Sequence, residues 1–337
     1  MKLKFLFLCF IAIFITNSAS ARNLTVNDIK SRQIVACGTS SEYRSLAYKK
    51  DGRVEGYDAD MCRAIATAVF SDPEKFKLVY VKRENIGQAL HSGKIDIMLG
   101  HISLSTIEEL RQNVIPVDIL YYDKQVFVSR FETSATSMQD FAQKKVCALK
   151  NSNASIFLKE YNNKHALGFN IIELGDLASL KETFYTNRCD LASDSEIFIN
   201  DFVKNIATEH PTQILPEAIT YIPIKAYTAS NATQLNTSFR LIINALKLAH
   251  AVGINASNID TFVASKSISI QNLLGINQKP WMSMGLFPEW VKNYISNYGN
   301  YIQMLDRTIG KSSKLGINNP QNKLIENGGL LIAQPFI

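Results

Sequence analysis

Residues 100–113 read GHISLSTIEELRQN, which puts the hydroxyls of Ser103, Ser105 and Thr106, two acids and one guanidinium within a few turns of chain. Such a set can do two kinds of chemistry. Small hydroxyls and an arginine can grip an anion, because a guanidinium offers a carboxylate two parallel N–H donors. The same residues can instead start a helix. Ser105 with Glu108, or Thr106 with Glu109, forms a capping box in which hydroxyl and acid satisfy free N–H groups, and early acids favour the helix dipole. Arg111 stands one turn beyond Glu108, so it is placed either to reach a ligand or to pair with that acid.

The chain's ends and composition limit what these residues can serve. Two lysines, an apolar run from Phe5 to Ile15 and the small-residue exit Ala19-Ser20-Ala21 predict a secretory signal peptide over residues 1–21, cleaved after Ala21. The run is too short for a membrane helix. Removing it leaves 34 basic and 30 acidic residues, a net charge of +4 that clusters in no basic run and argues against nucleic acid. With 337 residues, 46% of them hydrophobic, the chain can bury two cores of ordinary size. Cys37, Cys62, Cys147 and Cys189 remain after cleavage. Export permits disulfides, and four cysteines allow three pairings. No C-x-x-C occurs, so nothing points to a zinc ribbon or thioredoxin chemistry.

Short apolar strands alternate with amphipathic helices, which predicts an α/β fold. QIVACGTS (33–40) and KLVYV (77–81) read as strands. EGYDADMCRAIATAVF (55–70) reads as a helix with Asp58 at its N-cap and Met61, Ile65 and Val69 on one face. In IGQALHSGKIDIML (86–99) a helix ends near Gly93 and a strand follows. KKVCALKNSNAS (144–155) and FYTNRCDLAS (184–193) repeat these layouts and imply a second lobe of similar plan. YYDKQVFVSR (121–130) and AITYIPIKAYTAS (218–230) are then two strands crossing between lobes, a hinge, provided that the long helix 234–254 packs back on the first lobe. In the tail, the aromatic series Trp290, Tyr294, Tyr298 and Tyr301 reads as core of an arm packed on the lobes.

GYDADMCRAIATAVF, LHSGKIDIML, YYDKQVFV, KKVCALKNSNAS, NRCDLASD, YGNYIQMLDRTIG and ENGGLLIAQP occur in the order found in bacterial periplasmic amino-acid-binding proteins of ABC transporters, solute-binding protein family 3. From about Leu24 to its end the chain resembles that family, and its long tail and four cysteines look most like the general L-amino-acid-binding subgroup. The resemblance implies a two-lobed type II periplasmic-binding-protein-like fold with a two-strand hinge and a C-terminal helical extension. It divides the chain into lobe 1 (24–125 plus 226–256), lobe 2 (126–225) and the extension (257–337). It also implies a small-molecule ligand, probed in the periplasm by a monomer, an inner-membrane ABC permease as partner, no cofactor and no catalysis. With two cysteines in each lobe, the expected bonds are Cys37–Cys62 and Cys147–Cys189.

The resemblance further implies a ligand site of Tyr43 and Tyr48 as an aromatic wall, Ser103, Ser105 and Ser152 as hydroxyl donors, Arg111 for the α-carboxylate and Asp194 for the ammonium. Three contact regions depart from the family's pattern. The family's arginine falls twelve residues beyond the aspartate matching Asp96, where this chain has Glu108. The ammonium-binding acid is expected five residues beyond Asp190, where this chain has Ser195, with Asp194 one residue earlier and so on the opposite face of a strand. In the loop KNSNAS, Asn151 stands in place of the usual glycine. Two alternatives follow: a secreted binding protein that has lost the amino-acid site, or a dehydratase-like enzyme in which Glu108 acts as acid or base. Against an enzyme, no histidine forms a recognisable dyad and neither G-x-S-x-G nor H-E-x-x-H occurs. His91 and His101 read as surface or turn residues.

Overall fold

Consecutive strand and helix signals resolve into two βα lobes in the structure, a computed structural model that describes residues 24–336 apart from 41–42, 131–133, 136, 151 and 205–211. The expected signal peptide and Asn151 lie outside the described residues. The first lobe runs α1 (Val26–Arg32), β1 (Val35–Ser40), a hairpin of β2 (Tyr48–Lys50) and β3 (Arg53–Glu55), α2 (Tyr57–Phe70), β4 (Phe76–Val81), α3 (Ile86–His91), β5 (Ile97–Met98) and α4 (Thr106–Gln112). A long β6 (Val114–Ser129) crosses to the second lobe, which holds β7 (Lys145–Leu149), α5 (Asn153–His165), β8 (Asn170–Leu174), α6 (Leu177–Tyr185), β9 (Leu191–Ser195) and α7 (Glu196–Lys204). Then β10 (Gln213–Ala229) returns to α8 (Thr233–Ala251), followed by α9 (Ile268–Leu273), α10 (Lys279–Ser283), α11 (Trp290–Tyr298) and α12 (Tyr301–Thr308).

One eight-stranded sheet, ordered β4-β1-β5-β10-β6-β9-β7-β8, runs through both lobes. β1, β4 and β5 are parallel, as are β7, β8 and β9, while β6 and β10 pair antiparallel between the two sets. The hinge is this central pair. Residues 125–129 of β6 pair with β9 of the second lobe, whereas Tyr227 of β10 pairs with Met98 of the first. Helices cover both faces of the parallel strands, and β1 is buried at every position, as a parallel strand must be.

Tyr121, Ile222 and Ile224 belong to the first lobe's core, while Val126 and Phe127 belong to the second's, so the core changes identity within a few residues along the crossing strands. In the second lobe the sheet separates two smaller clusters, one around Leu158 and one around Phe184. The C-terminal aromatics extend the first lobe's core: Trp281, Trp290, Tyr294 and Tyr301 are buried against α2 and α8, and Tyr298 is half-buried beside them. This explains why α2 is buried around almost its whole circumference.

Each disulfide stays within a lobe. Cys37 of β1 joins Cys62 of α2 with Cα atoms 6.1 Å apart, and Cys147 of β7 joins Cys189 just before β9 at 5.8 Å. Asp58 is not the cap of α2. Gly56 takes the N-cap, and Asp58 turns into the core, where the Thr39 hydroxyl donates to it at 2.5 Å.

Candidate functional site

The parallel strands of each lobe end facing the other lobe. Crevices outside the carboxyl ends of parallel strands are where α/β proteins place ligands, because the connecting loops there are free of the ladder. From the first lobe come Ser40 and Tyr43 after β1, Lys82 and Arg83 after β4, and His101 to Ser103 after β5; from the second come Leu149 and Ser152 to Ala154 at the β7–α5 junction, and Asp194 and Ser195 at the end of β9. Ile222 and Ile224 of the hinge form the floor. The cavity is about 90 Å³. The lobes meet across it, with Asn153 Nδ2 of the second lobe donating to the Ser103 carbonyl of the first at 2.8 Å.

Of the two cations lining the cleft, Lys82 and Arg83, Arg83 is the one fixed by hydrogen bonds. Its Nε and Nη2 donate to the two carboxyl oxygens of Glu108, each at 2.9 Å, and Nη2 also donates to the Ser103 carbonyl at 2.9 Å. Nη1 makes no hydrogen bond among the described residues, leaving two N–H donors for a guest. Glu108 does double work. It closes the capping box of α4 with Ser105, accepting the Ser105 N–H and hydroxyl at 2.9 Å each. Burial raises its pKa, but hydrogen bonds and charge from Arg83, with the Ser105 donors, outweigh burial and hold the carboxyl down at about 2. Of the two possible boxes, Ser105 with Glu108 forms and Thr106 with Glu109 does not; Glu109 instead pairs with Lys225 at 2.8 Å.

Beneath the cleft lies a buried polar layer. Tyr43 stacks on His101 with ring centroids 4.2 Å apart, and His101 Nε2 meets Asp123 Oδ2 of β6 at 2.6 Å. His101 is therefore a turn residue but not a surface one: the turn after β5 carries it into the interior. Gly100 allows this: at φ +37°, a Cβ there would come within 2.7 Å of the Ser40 nitrogen, so only glycine lets the loop fold down onto β1. His91 does lie at the surface, against the Asn113 carbonyl at 2.8 Å. Nearby, desolvation raises the Asp58 carboxyl to about 7 against the opposing Thr39 hydroxyl, the charge of His101 and the Gly100 N–H.

Of the seven expected ligand residues, the structure brings four to the cleft and three to other places. Tyr43, Ser103, Ser152 and Asp194 line the cleft. Ser152 caps α5, its hydroxyl accepting from the Ser155 N–H at 3.0 Å. Asp194 is buried and accepts the Ser195 N–H on Oδ1 at 2.7 Å. Asp194 and Ser195, the last two residues of β9, both line the cavity. Tyr48 does not reach it. The β2–β3 hairpin carries it outward, where its hydroxyl donates to Glu55 at 3.2 Å. Ser105 is exposed and occupied by the capping box. Arg111 is exposed on the far side of α4, over a separate surface depression with Glu84, Gln88 and Gln112, because the turn from Glu108 to Arg111 points away from the cleft. Cleft residues that sequence reasoning missed include Lys82, Arg83, His101 and Asn153. One signal could have found Arg83: it stands two residues beyond strand KLVYV, in the connection that follows it, just as the expected loop KNSNAS follows its own strand.

Among the described residues no helix is long and apolar enough to cross a membrane. A family model described as "Bacterial extracellular solute-binding proteins, family 3" matches residues 35–269. The chain is 26% identical over 327 residues to the General L-amino acid-binding periplasmic protein AapJ of Rhizobium johnstonii, covering 96% of each. It is 25% identical over 328 residues to the Glutamate/glutamine/aspartate/asparagine-binding protein BztA of Rhodobacter capsulatus, covering 97% of this chain and 96% of that one. Among solved structures, an ABC transporter / periplasmic binding protein from Brucella ovis with glutathione bound superposes with a TM-score of 0.82 at 25% identity, over 92% of this chain and 98% of that chain.

Proposed function

The chain belongs to the bacterial extracellular solute-binding proteins, family 3, and we propose that it captures a small zwitterionic ligand, an amino acid or a γ-glutamyl peptide such as glutathione, for an inner-membrane ABC permease. The protein acts as a periplasmic monomer that binds and releases, without catalysis. One observation carries the reading: Arg83 on the first lobe and Asp194 on the second enter the same interlobe cavity, so a ligand's carboxylate and ammonium find opposite charges on opposite walls. A closed cleft needs this arrangement, because a desolvated charge must be paired and hydrogen-bonded. Arg83 Nη1 takes the carboxylate, Asp194 the ammonium, and Ser103 and Ser152 complete the polar rim, with Tyr43 on His101 as the aromatic wall. The α-amino acid head of a free amino acid and the glutamyl end of glutathione present the same two charges.

Thermal shift of the oxidised mature protein with L-amino acids and glutathione tests this, since a ligand that binds only the folded state raises the melting temperature by mass action. Arg83→Ala is expected to weaken the ligand so found by about 2–5 kcal/mol, the usual effect of removing one partner of a buried charge pair, which is roughly thirty-fold to several thousand-fold. Arg111→Ala is expected to bind as the wild type does. The second reading, a secreted protein that has lost its amino-acid site, is favoured by Glu108, which already occupies most of the Arg83 fork. No shift from any of these ligands, or undiminished binding by Arg83→Ala, would decide against the amino-acid cleft.

A further inference from the structure

A second and larger cavity, about 790 Å³, opens where the β2–β3 hairpin and the start of α2 meet the C-terminal extension, on the side of the molecule that carries Tyr48. Its volume lies within the range of small-molecule sites. The floor is built from charge. Asp60 and Arg63 are 6% and 5% exposed. Arg63 donates to Asp60 at 2.7 Å, to Glu74 at 3.2 Å and to the Val54 carbonyl at 3.0 Å. Arg307, from α12, donates to the other Asp60 oxygen through Nε at 3.0 Å and Nη2 at 2.6 Å.

The acids of this cavity are thus all engaged. Asp60 is held by two arginines and Glu74 by Arg63, while Glu55 takes the Tyr48 hydroxyl and lies 3.9 Å from Lys50. The cations are in excess. Arg53 and Lys314 line the same cavity and enter no ion pair among the described residues; Lys314 has only the Tyr48 ring beneath it, at 5.1 Å. Two uncommitted cations beside a floor whose Asp60 is neutralised by buried Arg63 and exposed Arg307 set up a positive potential that concentrates anions. We propose that this cavity is a second ligand site, separate from the interlobe cleft, for a small polyanion bearing two or more phosphate or carboxylate groups. Arg53 supplies a planar fork and Lys314 a point charge, and the Arg63–Asp60–Arg307 network holds the hairpin and the extension at a fixed spacing.

Calorimetric titration of the mature, oxidised protein with sodium pyrophosphate at low ionic strength is the test. Saturable binding is expected, weakening with added salt. In Arg53→Glu/Lys314→Glu it is expected to fall by about tenfold or more, since like charge then faces the anion, with circular dichroism and melting unchanged because both side chains are exposed or unpaired. Arg83→Ala is expected to bind pyrophosphate normally, which keeps this outcome distinct from that of the cleft. Absence of saturable binding, full binding by the charge-reversed variant, or loss of binding in Arg83→Ala would overturn the proposal. Sedimentation with phosphatidylglycerol vesicles, where pyrophosphate itself fails to bind, would overturn it in favour of a membrane headgroup.

Discussion

Glu108 carries a cation-binding task at a position where the family resemblance leads one to expect the cation itself. Its carboxyl accepts from Arg83 and from Ser105, and those bonds together hold it at about 2 against the opposing effect of burial. The consequence for stability has a definite sign. A carboxyl whose folded pKa lies below its ordinary 4.5 stabilises the fold above that value, and the stabilisation is lost as pH falls from about 4.5 through about 2. Glu108→Gln is therefore expected to lower the melting temperature at neutral pH and to flatten its decline between those two pH values. Melting curves collected across that range check it. An unchanged acid slope in the variant would remove Glu108 as its source.

At the scale of elements, the crossing strands contain a proline where a sheet interior should not have one. Pro223 of β10 stands opposite Tyr122 of β6 and offers no N–H to the ladder. The C-terminal extension meets the need for partners at this point. Tyr122 N–H donates to Asn322 Oδ1 at 2.6 Å, and the Tyr122 carbonyl accepts from Asn319 and Asn322, each at 2.8 Å. Asn322 is itself buried. Replacing both asparagines by alanine leaves main-chain groups of the hinge without partners, which costs on the order of 1–3 kcal/mol for each group left unsatisfied. The expected result is a lower denaturation midpoint together with faster amide exchange over residues 119–125. Unaltered exchange there would show that the extension does not brace the hinge.

For the whole molecule, the covalent links leave the hinge free. Cys37–Cys62 and Cys147–Cys189 close loops with sequence separations of 25 and 42, each inside one lobe, and neither spans the crossing strands. Chain-entropy reasoning assigns such loops about 3–4 kcal/mol each. Cys147→Ser/Cys189→Ser is expected to destabilise the second lobe by about 2–5 kcal/mol and to separate its unfolding from that of the first lobe, whose core also includes the extension. Calorimetry would show a second, lower transition. A single transition shifted as a whole would mean that the lobes unfold as one unit.

Much of this was legible in the chain, and the division follows from how far along the sequence each signal reaches. Strand and helix alternation, the two-lobed plan, the Ser105–Glu108 box and the aromatic core of the extension are written in periods and spacings of a few residues, so local pattern was enough. The lining of the cleft was not. Lys82, Arg83, His101 and Asn153 sit just beyond strand ends that meet only because the parallel strands of both lobes end at one crevice, while Tyr48 and Arg111, close in sequence to cleft residues, are carried away by a hairpin and by one helical turn. Residue types could nominate a carboxylate-binding arginine. Which arginine faces the cavity was decided by the packing of one lobe against the other, since the direction of a loop side chain depends on contacts between segments far apart in the chain.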